Sequence, residues 1–274
     1  MTRSLVLTAD DAGTDPDADR EIAALLAGSP LTAVSVITAD PAAGQDHRPG
    51  NGWVNPGAAR AVRLITRSAP HVAPGVHVVL PATAPVGGFD DVADRITAQL
   101  DALERATAAA GAPAPDRLDS HRGSLYGLLG RSYLAEAIGV CAARGLALRL
   151  PRGLDLYGDD DPVLATPGVR ARHSTAVAAA DAAGVPLPQV IATHRGGDAE
   201  ARDYPTLRDR YLRLLERLPD GVSEIFLHPA PDTARLRELS AGWSRKRTWE
   251  LRLLGDPVLT REIERQGIDL VKRW

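Results

Sequence analysis

Two adjacent carboxylates, Asp10 and Asp11, follow a short apolar run near the start of the chain. The run predicts a strand over residues 4–9, and Asp15-Pro16 is typical of a helix start. Two like charges that face one cleft are costly unless a cation neutralises them or one of them takes a proton. The pair therefore indicates either a cation site or a solvated turn, where aspartate is common.

Four histidines lie within or directly after predicted strands, as the carboxylate pair does. His121, His194 and His228 each follow a predicted strand directly, and His77 lies within one. The carboxyl ends of parallel strands meet on one face of an α/β fold, so these side chains are expected to converge there. Carboxylate and imidazole are ligands of a divalent ion of the zinc type, and three protein ligands leave a position for water. Taken one at a time, His77 is also explained as a histidine of the core, and each of the other three as a residue of an exposed turn.

Strand-like and helix-like segments alternate along the whole chain. The predicted strands span residues 4–9, 32–38, 72–80, 117–120, 146–150, 189–193, 222–227 and 268–272. The predicted helices span residues 16–27, 56–68, 90–110, 131–144, 172–183, 204–218, 232–240, 244–254 and 257–265. These seven or eight βα units show no break in composition, so the chain is predicted to be one α/β domain over residues 1–274. The predicted fold is a single TIM-like (βα) barrel, either regular or distorted. A doubly wound open sheet is the competing topology, although the glycine motifs of phosphate-binding loops are absent.

The composition narrows the class of protein. The chain has 274 residues, 44% of them hydrophobic, and a formal net charge of −3. These values allow a sizeable core and do not favour nucleic acid or a membrane as partner. The single cysteine, Cys141, excludes an intrachain disulfide framework. With no secretory signal or membrane-spanning run, a cytoplasmic location is expected. The sequence does not decide the oligomeric state, and a homodimer stays open.

Five short segments carry a resemblance to a known family. They read TADDAG at 8–13, GVHV at 75–78, DRLDSH at 116–121, EIFLHP at 224–229 and RTWEL at 247–251. In this order they resemble the motifs N-A-D-D-F-G, G-[IL]-H-L, T-H-[IL]-D-S-H, E-[IL]-x-x-H-P and R-x-x-E-L of the YdjC-like carbohydrate deacetylases, which are relatives of the polysaccharide deacetylases. The departures, among them Thr8, Ala12 and the segment 122–126, fall on the expected cleft wall and leave the ligand set intact.

The resemblance implies a (βα) barrel and a metal-dependent deacetylase. It implies that Asp11, His77 and His121 bind one divalent metal ion. Zinc or magnesium is expected, and two imidazoles suit Zn²⁺, Co²⁺ or Ni²⁺ better than Mg²⁺, which prefers oxygen. Asp10 would be the general base that takes a proton from water. His228 would be the general acid or transition-state stabiliser at the departing amine.

Three further residues are candidates for substrate binding. They are Arg149, Arg122 and His194, although a salt bridge inside the barrel fits Arg149 equally well. The predicted function is removal of an acetyl group from a small-molecule substrate, an N-acetylated sugar or oligosaccharide. A hydrolase of a non-sugar amide on the same barrel is one alternative, since fold does not determine chemistry. A non-catalytic carbohydrate-binding relative is the other.

Overall fold

In the computed structural model we describe residues 2–39, 55–80, 90–127, 131–157 and 164–274. The strands are β1 Arg3–Ala12, β2 Ala33–Val36, β3 Gly75–Val78, β4 Arg117–Ser120, β5 Ala147–Leu148, β6 Ile191–Ala192, β7 Gly221–Leu227 and β8 Asp269–Leu270. The helices are α1 Pro16–Gly28, α2 Pro56–Ser68, α3 Val92–Ala110, α4 Leu134–Arg144, α5 Pro167–Ala182, α6 Asp198–Ala201, α7 Tyr204–Glu216, α8 Ala234–Leu239, α9 Ser244–Leu254 and α10 Pro257–Arg265. A short 3₁₀ turn, His121–Gly123, follows β4.

All strand pairs in the described residues are parallel, and the sheet order is β5-β4-β3-β2-β1-β7-β6, with β8 pairing the start of β1. Backbone hydrogen bonds also join its two edges. Leu148 N donates to Pro186 O (3.0 Å), and Gly153 N donates to Gln189 O (2.9 Å). The sheet therefore curls until its edges meet, which confirms the predicted (βα) barrel, in a distorted form, over the open sheet.

Helices surround the sheet, so its strands, apart from the exposed β8, are largely buried on both sides. Every residue of β2, β3 and β4 is buried, and α1 packs Ile22, Ala23 and Leu26 against the sheet. The fully buried strand residues include several charged and polar side chains, notably Asp119 and Glu224. Because a buried charge requires a partner, these side chains must pair with other charged or polar groups inside the barrel. No helix in the described residues combines the length and apolar character that a bilayer span requires.

The observed elements differ from the predicted ones mainly at their ends. β1 extends through Asp10 and Asp11 to Ala12, whereas the predicted strand ends at residue 9. α5 begins at Pro167 instead of residue 172, since Pro167 occupies the first helical position, where its missing N–H costs nothing. The one-turn helix α6 was not predicted. Strands β5, β6 and β8 contain only two paired residues each; β5 and β6 form the two edges of the sheet, and β8 pairs the start of β1.

Candidate metal centre and catalytic cleft

Both aspartates at the end of β1 line one cleft. Neighbouring side chains on an extended strand point to opposite faces, so the chain has to turn for this arrangement. The register between β1 and β2 shifts between Ala9 and Ala12, and Asp11 has a left-handed backbone with φ +66°. Aspartate visits this region more readily than most residues. The structure therefore places the turn at Asp11 itself.

The turn after Asp11 is held from three sides. Asp19 Oδ1 accepts a hydrogen bond from Gly13 N (2.7 Å), and Asn55 Nδ2 donates to Gly13 O (2.9 Å). Gly57, near the start of α2, lies so close that a Cβ there would be 1.8 Å from Gly13 O. Only glycine fits at residue 57, so the two helix starts that follow β1 and β2 determine where Asp11 sits.

Asp11, His77 and His121 converge as the sequence predicts. Asp11 Oδ1 lies 3.0 Å from His121 Nδ1 and 3.3 Å from His77 Nε2. One ligand atom from each of the three residues lies within 4.8 Å of the others. The imidazole rings meet edge to face with centroids 5.3 Å apart. One carboxylate and two imidazoles at this spacing fit a zinc-type ion with an open position.

Asp119 orients His77 from behind. Its Oδ1 hydrogen-bonds His77 Nδ1, and its Oδ2 accepts from Ser35 Oγ. His77 Nε2 therefore faces Asp11, in the carboxylate–histidine arrangement that supports metal ligands. Burial alone would lower the pKa of His77, but the neighbouring carboxylates of Asp119 and Asp10 raise it to about 10. Burial would raise the pKa of Asp119, but Arg149 and His77 outweigh this effect and lower it to about 2.

Arg149 binds three buried carboxylates, and we call these four residues the Arg149 cluster. Its Nη1 and Nη2 donate to Asp10 Oδ2 (2.7 Å) and Oδ1 (2.9 Å). The same guanidinium lies 2.9 Å from Asp119 Oδ2 and 2.8 Å from Glu224 Oε1. Of the two readings for Arg149, the structure shows the salt bridge inside the barrel. Asp10, His77 and Asp119 also lie close enough to share an ion, but Arg149 already supplies the cation there.

His228 lies at the end of β7 and lines the cleft. Burial lowers the pKa of its imidazole to about 4, although the charges of Asp11 and Asp10 act in the opposite direction. Its backbone N donates to Glu250 Oε2 (2.9 Å). The other oxygen of Glu250 accepts from Tyr211 Oη (2.5 Å) and pairs with Lys246 Nζ (2.8 Å). His228 is therefore a neutral imidazole near pH 7, held by α9.

Arg247 is a site residue to which the sequence analysis assigned no role. Its Nη2 lies 2.8 Å from Asp11 Oδ2. Burial would raise the pKa of Asp11, but Arg247 and His121 hold it well below its usual range. The sequence signal that could have identified Arg247 as a site residue was its R-x-x-E spacing with Glu250, because residues three apart in a helix share one face. Arg247 and Glu250 do lie on one turn of α9 and reach Asp11 and His228 respectively.

The cleft has a volume of about 1290 Å³ and also includes the two other predicted substrate-binding residues. Arg122 is exposed, has φ +54° and directly follows His121. His194 is buried, and its Nδ1 lies 3.0 Å from Gly196 O. Burial lowers the pKa of His194, so its imidazole is neutral near pH 7. All eight predicted site residues thus line this one cleft.

Solved structures share the fold of this chain. A protein from Enterococcus faecalis V583, provisionally described as a cellobiose-phosphate cleavage protein, matches with a TM-score of 0.67 and 19% identity over 99% of this chain and 97% of that chain. A peptidoglycan N-acetylglucosamine deacetylase matches with a TM-score of 0.50 and 13% identity over 98% of this chain and 86% of that chain. A mutant CE4 family pseudoenzyme with restored activity matches with a TM-score of 0.50 and 13% identity over 98% of this chain and 65% of that chain.

Identities this low establish the fold alone. No curated protein matches the chain. The family model described as YdjC-like protein, however, matches residues 4–265, which is nearly the whole sequence. The resemblance inferred from the five short motifs is thereby confirmed, and the chain belongs to the YdjC-like family.

Proposed function

We propose that this protein is a metal-dependent hydrolase that removes an acetyl group from an N-acetylated sugar or oligosaccharide. The observation that carries the proposal is the convergence of Asp11, His77 and His121 beside a second carboxylate, Asp10, in one cleft. Membership of the YdjC-like family and the shared fold with a deacetylase support it.

The three ligand residues would hold one divalent ion, with zinc, cobalt or nickel suited to the two imidazoles. When bound, such an ion lowers the pKa of a coordinated water and polarises an acyl carbonyl. Asp119 keeps the His77 ring in the orientation that this requires. Arg247 holds the second oxygen of Asp11, so Oδ1 of that carboxylate is the oxygen that faces the two imidazoles.

Asp10 would accept the proton from the attacking water. Each of its oxygens accepts one N–H from Arg149, and a carboxylate oxygen retains a further lone pair for such a proton. The two parallel hydrogen bonds hold the carboxylate in one orientation, which is what a general base needs. Arg149 is therefore a positioning residue for the proposed base.

His228 would act on the departing amine or on the charge that develops at the acyl oxygen. With its pKa lowered to about 4, the imidazole is neutral near pH 7 and offers one N–H donor and one acceptor nitrogen. A neutral imidazole of this kind stabilises a transition state by hydrogen bonding. Of the two roles considered for His228, the neutral charge of its imidazole near pH 7 favours the stabiliser over a cationic acid.

Metal binding is expected to release a proton. With the pKa of His77 raised to about 10, its Nε2 carries a proton near pH 7, and an ion has to displace that proton. The affinity for Zn²⁺ should therefore rise by about tenfold per pH unit between about pH 6 and 8, for one proton released. Calorimetric titration of the metal-free protein in buffers of different ionisation enthalpy counts these protons. An affinity that does not change with pH would contradict the assignment of His77.

The function itself is tested by a screen for acetate release. Acetylated mono- and oligosaccharides, together with acetylated non-sugar amines, are incubated with the metal-loaded protein. We expect acetate from at least one sugar, and background rates for the Asp11→Asn variant. Acetate from the non-sugar amides alone would favour the alternative hydrolase, for which the exposed Arg122 on the cleft wall gives some reason. Thr8 and Ala12, which the sequence placed on that wall, are fully buried instead. Sugar binding without any acetate release would favour the non-catalytic relative.

A further inference from the structure

The two carboxylate oxygens of Asp11 face different groups. Oδ1 lies 3.0 Å from His121 Nδ1 and 3.3 Å from His77 Nε2, on the side of the candidate metal centre. Oδ2 lies 2.8 Å from Arg247 Nη2. The side chains of Asp11 and Arg247 are only 9% and 20% exposed, so solvent screens this ion pair little. The carboxylate therefore presents one oxygen to the imidazoles and the other to a guanidinium.

The backbone holds Asp11 in one place. Its carbonyl oxygen accepts a hydrogen bond from Thr14 Oγ1 (2.8 Å), and the next turn residue, Gly13, donates its N–H to Asp19 (2.7 Å). These contacts fix the left-handed turn from which the Asp11 side chain starts. The orientation of the carboxylate then depends on the groups that its two oxygens touch.

Arg247 is anchored on the first turn of α9. Its carbonyl oxygen accepts from Ala230 N (3.3 Å), just after β7. The preceding residue, Lys246, donates its N–H to Asp198 Oδ1 (2.8 Å). The described residues give the buried Nε of Arg247 no hydrogen-bond partner, and its Nη2 pairs with Asp11. The ion pair with Asp11 is thus the polar contact that orients this guanidinium.

A carboxylate with one available oxygen suits some divalent ions better than others. A zinc-type ion needs few ligands, and one carboxylate oxygen with two imidazoles leaves it the open position described above. Mn²⁺ prefers oxygen ligands, to which the second oxygen of a carboxylate contributes. A guanidinium on Asp11 Oδ2 withholds that oxygen. Its positive charge repels all divalent ions alike, so the charge changes their affinities and not the preference among them.

We infer that Arg247 is a positioning residue that limits Asp11 to one metal-binding oxygen and thereby makes the site prefer Zn²⁺ over Mn²⁺. The inference rests on the metal centre of the proposed function. It deepens that function by assigning the choice of metal to a residue that is not a ligand. It does not depend on which acetylated compound the protein hydrolyses.

The test measures dissociation constants for Zn²⁺ and Mn²⁺ by competition calorimetry on the metal-free wild type, Arg247→Met, Arg247→Lys and the control Arg245→Met. We expect Arg247→Met to reduce the preference for Zn²⁺ by about tenfold, at the lower end of the roughly 10- to 100-fold effects that residues behind metal ligands have. Arg247→Lys keeps the charge and one donor, so it should lose less. Arg245 lies two residues earlier on α9 and is exposed, and its variant should match wild type.

Bound Co²⁺ gives a second readout that does not depend on activity. The visible absorption of Co²⁺ in a protein weakens as its coordination number rises. The Co²⁺-loaded Arg247→Met variant should therefore absorb less strongly than wild type, because Asp11 then offers both oxygens. The Arg245→Met variant should absorb as wild type does, and equal absorption in Arg247→Met would contradict the inference.

The ratio of the two dissociation constants decides the matter. If Arg247→Met changes the affinities for Zn²⁺ and Mn²⁺ by the same factor, Arg247 acts through its charge alone and the inference is overturned. Thermal unfolding of the metal-free proteins shows whether the variants fold. Should Arg247→Met not fold, Arg247→Lys carries the comparison, and an unchanged preference in that variant overturns the inference as well.

Failure of the proposed function gives a different result. If no sugar releases acetate but wild type prefers Zn²⁺ and Arg247→Met loses that preference, the deacetylase proposal fails and the role of Arg247 stands. If acetate is released and the preference is the same in both proteins, the reverse holds. A wild-type protein that binds no divalent ion would overturn both.

Discussion

The Asp10→Asn variant is expected to lose turnover by about 10²–10⁴-fold or more while its metal content stays close to that of wild type. Asp10 is the proposed base and contacts Arg149, whereas the candidate ligand atoms belong to Asp11, His77 and His121. An asparagine fills the same space but cannot take up a proton. Metal content by elemental analysis and kcat on the best sugar from the acetate screen are measured on the same preparation.

Asp11→Asn is the matched control for this experiment, because it changes the neighbouring residue in the same way. It should lose metal and activity together, since it removes the carboxylate that faces both imidazoles. Asparagine also tolerates the left-handed backbone found at Asp11, so the turn is preserved. If the two variants lose metal equally, the roles of the two aspartates have been assigned wrongly.

The largest expected effect on stability comes from Arg149→Met. The side chain of Arg149 is buried and lies between Asp10, Asp119 and Glu224, all of which are buried as well. Removing one partner of a buried ion pair costs about 3–5 kcal/mol, because the remaining charge stays buried without compensation. Here three carboxylates lose one shared partner, so the free energy of unfolding should fall by at least about that amount. Urea unfolding followed by circular dichroism measures it.

Arg152→Met is the matched control, three residues away in the sequence. Arg152 pairs with Asp181 at 2.7 Å, but both side chains are substantially exposed. Exposed pairs contribute about 0–1 kcal/mol, so this variant should remain close to wild type in stability. An equal loss in the two variants would show that burial of the Arg149 cluster is not what makes it important.

The effect of Arg149→Met should also depend on pH. In the wild type Arg149 helps to lower the pKa of Asp119 to about 2, so this carboxylate stabilises the fold above its unfolded pKa and loses that effect as the pH falls towards 2. Without the guanidinium, burial raises the pKa values of Asp119 and Glu224 and favours their protonated forms. The stability deficit should therefore be largest near neutral pH and shrink as the pH falls below about 4.

Much of the fold could be predicted because alternating strand and helix patterns repeat along the chain and are local signals. The placement of His121 and His228 at the ends of β4 and β7 follows from the same signals. Arg149, Asp119 and Glu224 are different, since each is a buried charge in or beside a different strand, β5, β4 and β7. Each looks like an isolated charge in the sequence, and only barrel closure brings the three together.

Two parts of the site give no periodic signal. Arg247 reaches Asp11 from a helix near the other end of the chain, and hydrophobic spacing in α9 does not reveal such a contact. The turn at Asp11 is a single left-handed residue within a strand, which interrupts the two-residue period without changing the composition. The carboxylate pair indicated that both side chains face one cleft, but it did not show which residue makes the turn.

The left-handed backbone at Asp11 limits which metal-binding residues can replace the aspartate at this position during evolution. Most L-residues lose roughly 1–2 kcal/mol in this conformation, whereas aspartate, asparagine and glycine adopt it more readily. Glutamate, the other carboxylate, therefore carries a backbone penalty at this position as well as a longer reach. His77 and His121 have no positive φ, so their positions carry no such restriction. If relatives of this protein change their metal preference, the exchanges should occur at the two histidine positions and leave the aspartate in place.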